Sequence, residues 1–341
     1  MGHAAGVPLS HVWQTLDVGQ QMRCMGSIVR YIAQMAELNF PAYGSLYFSN
    51  VSAVDSSQKI RLDDNFCIGP HCGLARIPPD DTARANGKSF QGSPKEHIEL
   101  LHHAQQVLQK LAADARIKDN ASPIMLHPDL HMQNIFVNPD DPTDITALID
   151  WQATSIEPAF EHAAIGLDLD TGLLQSEECK DRRPYLEQAY DAFIKAYVPL
   201  LANVRSLDDD LLRLFRYCHR SWADGITVLQ DELINISRHW EQLGLSGRCP
   251  YIPPTGKKLD EHIKNHQAFL DALELKTGLV EQLQTTNDGW VQRERWEDVK
   301  AMHAAAFKIV SDTVSQPDSD TTVEELEAIW PFDKPTGDDK V

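Results

Sequence analysis

The sequence predicts an α+β fold that is mostly α-helical, and three observations predict it. Apolar residues recur at three- and four-residue spacing through most of the chain, the period changes between Ile124 and Trp151, and that interval holds two short apolar runs around a turn-rich centre. At 341 residues, 42% hydrophobic and 24% charged, the composition is that of a folded globular protein rather than a disordered or fibrous one.

Each element follows in order. Met25, Ile28, Val29, Ile32, Met35 and Ala36 form the stripe of a first helix, which Asn39-Phe40-Pro41 ends. Tyr43 to Phe48 reads as a short strand, and Asn50 to Asn65, rich in Ser and Asp, as a surface loop. Residues 66–92 show no clean period. Ser93-Pro94-Lys95-Glu96 supplies an N-cap, a proline at the first helical position and a capping-box acid, leading into a helix striped by Leu100, Leu101, Ala104, Val107, Leu108 and Leu111. From Ile124 the chain reads as an apolar entry, a polar loop, Ile135-Phe136-Val137, the turn Asn138 to Asp144, and Ile145 to Ile149. Beyond it, segments near 184–197, 207–243, 260–284 and 291–311 read as helices, with Gly225 marking a kink or close contact. Residues 312–341 carry nine acids against two lysines, and are expected to be a flexible acidic tail with a docking segment near 329–332.

Charge and composition exclude several classes of function. A net charge of −19 repels phosphate backbones and anionic lipid, so neither nucleic acid nor a membrane surface is expected as a partner. No apolar run approaches the roughly 18 to 20 residues that a bilayer span needs. The six cysteines include no C-x-x-C pair, and the first residues show neither a secretory leader nor an organellar presequence, so free thiols in a soluble intracellular protein are expected.

The chemistry concentrates in His127-Pro128-Asp129-Leu130-His131-Met132-Gln133-Asn134, followed after the hairpin by Leu148-Ile149-Asp150-Trp151. An Asp, an Asn five residues later, a strand, a tight turn, a second strand and another Asp make the layout of phosphoryl transfer in kinase-like folds. The first Asp can orient an incoming hydroxyl and accept its proton, while the Asn and the second Asp offer oxygen ligands to Mg²⁺.

On these residues the chain resembles the aminoglycoside phosphotransferase family of the protein-kinase-like fold. The runs HPDLHMQNIFVNPDDP and IDWQATS, with Ala5 to Ser10, Tyr43 to Tyr47, Phe66 to Pro70, Asp288 to Val291 and Trp330 to Asp333, resemble in particular the fungal phosphotransferases of the altered-inheritance-of-mitochondria type. The resemblance implies ATP and Mg²⁺ as cofactors, a small-molecule hydroxyl as acceptor, Asp129 as catalytic base, Asn134 and Asp150 as metal ligands and His127 as a structural brace. Mitochondrial residence is implied by that resemblance alone; otherwise a cytoplasmic protein is expected. The β-rich N-lobe of that family, with its phosphate-covering loop and its Lys and Glu, has no counterpart before Ala5. Residues 1–311 are therefore expected to form the C-lobe, starting near the inter-lobe hinge, and turnover is expected to be weak or absent.

Two other readings compete. One is a non-catalytic, pseudokinase-like binding module; the other is a metallohydrolase using His127, Asp129 and His131, although histidines four apart converge only on a helix and Pro128 argues for an irregular loop. The remaining signals carry bland readings. Gly87-Lys88-Ser89 lacks the earlier glycine of a phosphate loop, Cys67 and Cys72 lack a second ligand pair, and His102-His103 reads as helix surface. Tyr217, Trp222 and Trp240 read as core, while Asp208, Asp209, Asp210, Asp224, Asp231 and Glu232, where they face the cleft, would favour a cationic or polyhydroxylated substrate.

Overall fold

Long amphipathic stripes and short alternating runs sort into helices and strands in the computed structural model, which describes residues 3–71, 92–127, 129–152, 154–162, 182–286, 289–316 and 322–332. In chain order these are β1 (Val7–Pro8), α1 (Leu9–Val12), α2 (Val18–Ala36), β2 (Gly44–Phe48), β3 (Ile60–Arg61) and β4 (Phe66–Gly69). Then come α3 (Pro94–Ala113), α4 (Ala115–Lys118), β5 (Pro123–Met125), β6 (Ile135–Val137), β7 (Ile145–Leu148) and β8 (Ser155–Pro158). The remainder is helical: α5 (Arg183–Tyr197), α6 (Pro199–Arg205), α7 (Arg213–Asp224), α8 (Ile226–His239), α9 (Lys257–Leu283), α10 (Trp296–Val314) and α11 (Val323–Ile329). The α+β expectation holds, with helix dominant and both sheets small and antiparallel.

The chain divides into two units. One holds Met1–Ile77, Leu108–His219 and Leu243–Ser246; the other holds Pro78–Val107, Arg220–Gln242 and Gly247–Val341. A helical stripe tells that a face is buried but not against which neighbour, so it cannot separate one core from two.

In the first unit α2 is the central helix. Asp17 caps it by accepting from the Gln20 amide at 2.8 Å, and the Gln20 side chain accepts from the Asp17 amide at 2.9 Å. The reciprocal pair satisfies two of the donors that a helix start leaves open, and explains why α2 begins about two turns before its apolar stripe. Met25, Ile28, Val29 and Ile32 are buried, each worth roughly 1.5 to 3 kcal/mol relative to exposure. Gly26 faces α5, where a Cβ would meet the Phe193 ring in ordinary contact at 3.4 Å.

Two antiparallel sheets complete the unit. The five-stranded sheet has the order β3-β4-β2-β8-β5, and the three-stranded one β1-β6-β7. The latter carries the site hairpin, with Ile135 opposite Leu148 and Val7 opposite Val137. Its register shifts between Phe136 and Val137, leaving Thr146 as an extra residue whose hydroxyl donates to the Ala5 carbonyl. Gly6, at φ +91°, sits so close that a Cβ would fall 2.2 Å from the Val137 carbonyl oxygen. Strands β3 and β4 lie where the sequence read a loop and a segment without period, because runs of two to four residues are too short to display alternation.

In the second unit Ser93 and Glu96 form the expected capping box of α3, with the Glu96 amide donating to Ser93 Oγ at 3.2 Å and the Ser93 amide donating to the Glu96 carboxylate at 2.9 Å. Gly225, at φ +87°, divides the single stripe of 207–243 into α7 and α8. In the described part of the acidic segment α10 runs on to Val314, and α11 has its own capping box between Thr322 and Glu325. Trp330 is buried with Leu279, Leu283, Val299, Ala306 and Leu326, and its Nε1 donates to His303 Nε2 at 2.9 Å.

Candidate active site

The loop between β5 and β6 and the end of β7 fold back on one another through His127. Its ring is 1% exposed, with Nε2 2.7 Å from the Ile149 carbonyl and Nδ1 3.2 Å from the backbone amide of Asp129. A carbonyl can only accept and an amide can only donate, so the ring is neutral and carries its proton on Nε2. Both nitrogens are thus committed to main-chain groups. The Trp151 ring lies edge-on to the imidazole at 4.6 Å between centroids, held by Nε1 donating to the Leu148 carbonyl at 2.9 Å.

Asn134 is buried at the entry to β6. Its Nδ2 donates to the Asp129 carbonyl at 3.0 Å and approaches Asp129 Oδ2 at 3.3 Å. That orientation leaves the amide oxygen, Oδ1, with no partner among the described residues. Across the hairpin the Ile149 amide donates to the Asn134 carbonyl at 3.0 Å, so Asp150 follows immediately after a bond to the residue that precedes β6. Asp150 is exposed, its carboxylate has no partner among the described residues, and its φ is +67°, a left-handed conformation that Asp tolerates better than most side chains. The side chain of Asp129 is 58% exposed, and its Oδ2 also lies 3.3 Å from His131 Nε2.

The residues named from sequence therefore fall in one neighbourhood. Asn134 contacts Asp129 directly, His127 ties Asp129 to the end of β7, and Asp150 stands at that end. An unpartnered amide oxygen and an unpartnered carboxylate are hard donors of the kind Mg²⁺ takes, usually alongside phosphate oxygens and water. Trp151 was quoted within the motif but given no role; its signal was its place next to the motif's last acid.

The metallohydrolase reading is corrected. Among the described residues no group of three or more His, Cys, Asp or Glu side chains is disposed to hold a metal ion. The physical reason is plain at His127, whose two ring nitrogens are both bonded to the backbone. Several acids offered for cation recognition are also engaged: Asp208 accepts from the Asp210 amide at 3.1 Å, Asp209 pairs with Arg216, and Asp231 meets His262 at 3.1 Å. The side chains of Trp222 and Asp224 lie outside the described residues, as do Cys72 and Gly87-Lys88-Ser89. Cys67 is buried, His102 and His103 are exposed on α3, and Trp240 is buried with Nε1 donating to the Gly247 carbonyl at 3.1 Å.

A family model described as the phosphotransferase enzyme family matches residues 6–207, more than half of the chain and a span that includes His127, Asp129, Asn134 and Asp150. A curated relative, a subtelomeric hrmA-associated cluster protein of Aspergillus fumigatus, is 24% identical over 229 residues, covering 48% of this chain and 44% of the relative. The chain thus spans less than half the length of that relative. Among the described residues no helix is long and apolar enough to cross a membrane.

Proposed function

The chain belongs to the phosphotransferase enzyme family, and from that premise we propose that it transfers the γ-phosphoryl group of ATP, with Mg²⁺, to a hydroxyl of a small molecule. The acceptor is a polyhydroxylated or cationic molecule, in keeping with a net charge of −19 that disfavours anions. In this reading it is akin to the fungal phosphotransferases of the altered-inheritance-of-mitochondria type.

The observation that carries the reading is the division of labour at Asn134. Its amide nitrogen is spent on Asp129 while its oxygen is left over, so one residue braces the base and presents a cation ligand. Asp129 Oδ1, with no partner among the described residues, takes the proton of the acceptor hydroxyl as the oxygen–phosphorus bond forms. The bond between the γ-phosphorus and its bridging oxygen breaks, and ADP leaves with that electron pair. Asn134 Oδ1 and Asp150 would hold Mg²⁺, which when bound would offset negative charge on the phosphates. His127 fixes the distance between the base and the metal end of the hairpin.

The test is calorimetry of MgATP binding together with phosphate transfer to a panel of hydroxyl acceptors. Asp129→Ala is expected to abolish transfer with the melting curve unchanged. Asp150→Asn, which keeps a side chain suited to left-handed backbone, is expected to fold normally and to lose at least about tenfold in MgATP affinity, the scale of one lost charge-assisted contact. Undiminished transfer by Asp129→Ala would falsify the assignment, and MgATP binding without any transfer would mark a binding module instead.

A further inference from the structure

We propose that a cleft at the end of strands β2, β3 and β4 binds a sugar ring, with Phe48 as the platform on which that ring lies. The cleft has a volume of about 580 Å³, inside the roughly 300 to 1,000 Å³ of small-molecule sites, and none of the residues assigned to phosphate transfer lines it. Phe48, the last residue of β2, is 66% exposed and lines the cleft. Its ring stacks on that of its cross-strand partner Phe66, with centroids 5.5 Å apart and planes at 26°. Antiparallel pairing thus holds a large apolar ring in one orientation while leaving it open to water.

The charges around that ring favour a neutral ligand over an anion. Lys59 Nζ donates to the Ser49 carbonyl at 3.2 Å and also to the Val51 carbonyl. Arg61 Nε donates to the Asp63 carbonyl at 3.1 Å, and the guanidinium pairs with Asp64. Both cations are engaged, and Asp55, Asp63 and Asp64 stand in the same stretch of chain, so an incoming phosphate meets three carboxylates against two cations. By contrast, the side chains of Asn50, Ser56 and Asn65 line the cleft with no partner among the described residues. Amides and hydroxyls each offer a donor and an acceptor, the combination that neighbouring sugar hydroxyls present in return. The C–H face of a pyranose carries slight positive charge and little polar surface, which suits the electron-rich face of an aromatic ring. An aromatic platform rimmed by uncommitted donors and acceptors, with its charges already answered, is therefore fitted to a neutral polyol ring.

The experiment uses the full chain without nucleotide, so its outcome is independent of phosphate transfer, and reads saturation-transfer NMR with the methyl glycosides of glucose, galactose and mannose as probes. At least one is expected to bind with a dissociation constant on the order of 1 mM, with the strongest transfer to protons of one ring face. Phe48→Ala is expected to weaken that glycoside at least about tenfold with the melting curve unchanged, and Phe48→Trp to keep its affinity. Asn50→Ala and Asn65→Ala are each expected to weaken it about three- to tenfold. Equal affinity in wild type and Phe48→Ala, or no transfer to any of the three glycosides at about ten times that concentration, overturns the proposal. Inorganic phosphate that displaces the glycoside marks an anion site and overturns it as well. Should Phe48→Ala fail to fold, the two asparagine variants carry the test, and unchanged affinity in both overturns the sugar site.

Discussion

At the scale of single residues, environment separates histidines that the sequence presents alike. His127 gives both nitrogens to the backbone, while His162 is buried with Nε2 unpartnered among the described residues and one nitrogen facing the Ile124 backbone. Burial pushes the His162 imidazole down to about 4 from an ordinary 6.5, against the raising influence of Glu157. The unfolded chain thus takes up a proton between those values that the folded chain refuses. Stability from this group is complete above pH 6.5 and is lost as pH falls toward 4, by on the order of 3 kcal/mol in all. Replacing it, as in His162→Phe, should flatten that part of the pH dependence; urea unfolding at about pH 5 and about pH 7.5 measures it, and an unchanged slope would count against the buried neutral ring. His127, Asp129, Asn134 and Asp150 were legible in the sequence because five-residue spacing and a hairpin are written in the order of letters. His162 was not, because no letter says how far a ring lies from water.

At the scale of elements, the site depends on a strand of two residues. β1 pairs with β6 through Val7 and Pro8, and Gly6 lets the chain pass against the Val137 carbonyl. Gly6→Ala combines a left-handed backbone with a backbone clash, and should destabilise the first unit by about 2 to 3 kcal/mol in a denaturant titration. A melt indistinguishable from wild type would mean that β1 does not brace the hairpin. The helix α3 could be read to its first residue because Ser93, Pro94 and Glu96 each name a position. The start of α2 was missed by a turn and more, since Val18-Gly19-Gln20 offers no apolar stripe, although Asp17 and Gln20 stand at capping-box spacing. The strands β3 and β4 escaped because they are recognised by their partners, and pairing across a sheet leaves no local trace.

At the scale of the whole molecule, composition located the acidic segment, and local capping sets the order of its described part. Net repulsion argues for solvation, yet a capping box at Thr322 and one large aromatic side chain are enough to fix α11 against α9 and α10. Trp330 lies 3% exposed beside Phe307 at 4.9 Å and His303 at 5.6 Å. Trp330→Ala should cost about 3 kcal/mol in guanidinium unfolding, the usual scale for emptying a buried aromatic site. A cost under about 0.5 kcal/mol, the range of surface substitutions, would show that the segment contributes nothing to the second unit. The division into two units was illegible for a related reason: stripes announce buried faces, and only coordinates say which faces share a core.

The backbone at residue 150 has one more consequence. A pool of variants propagated under selection for solubility alone would drift there toward glycine and asparagine, which accept a left-handed turn at least as easily as aspartate. Propagation under selection for turnover would hold the acid in place. Sequencing the two pools would thus read, from one codon, whether the chain is kept for its chemistry or merely for its shape.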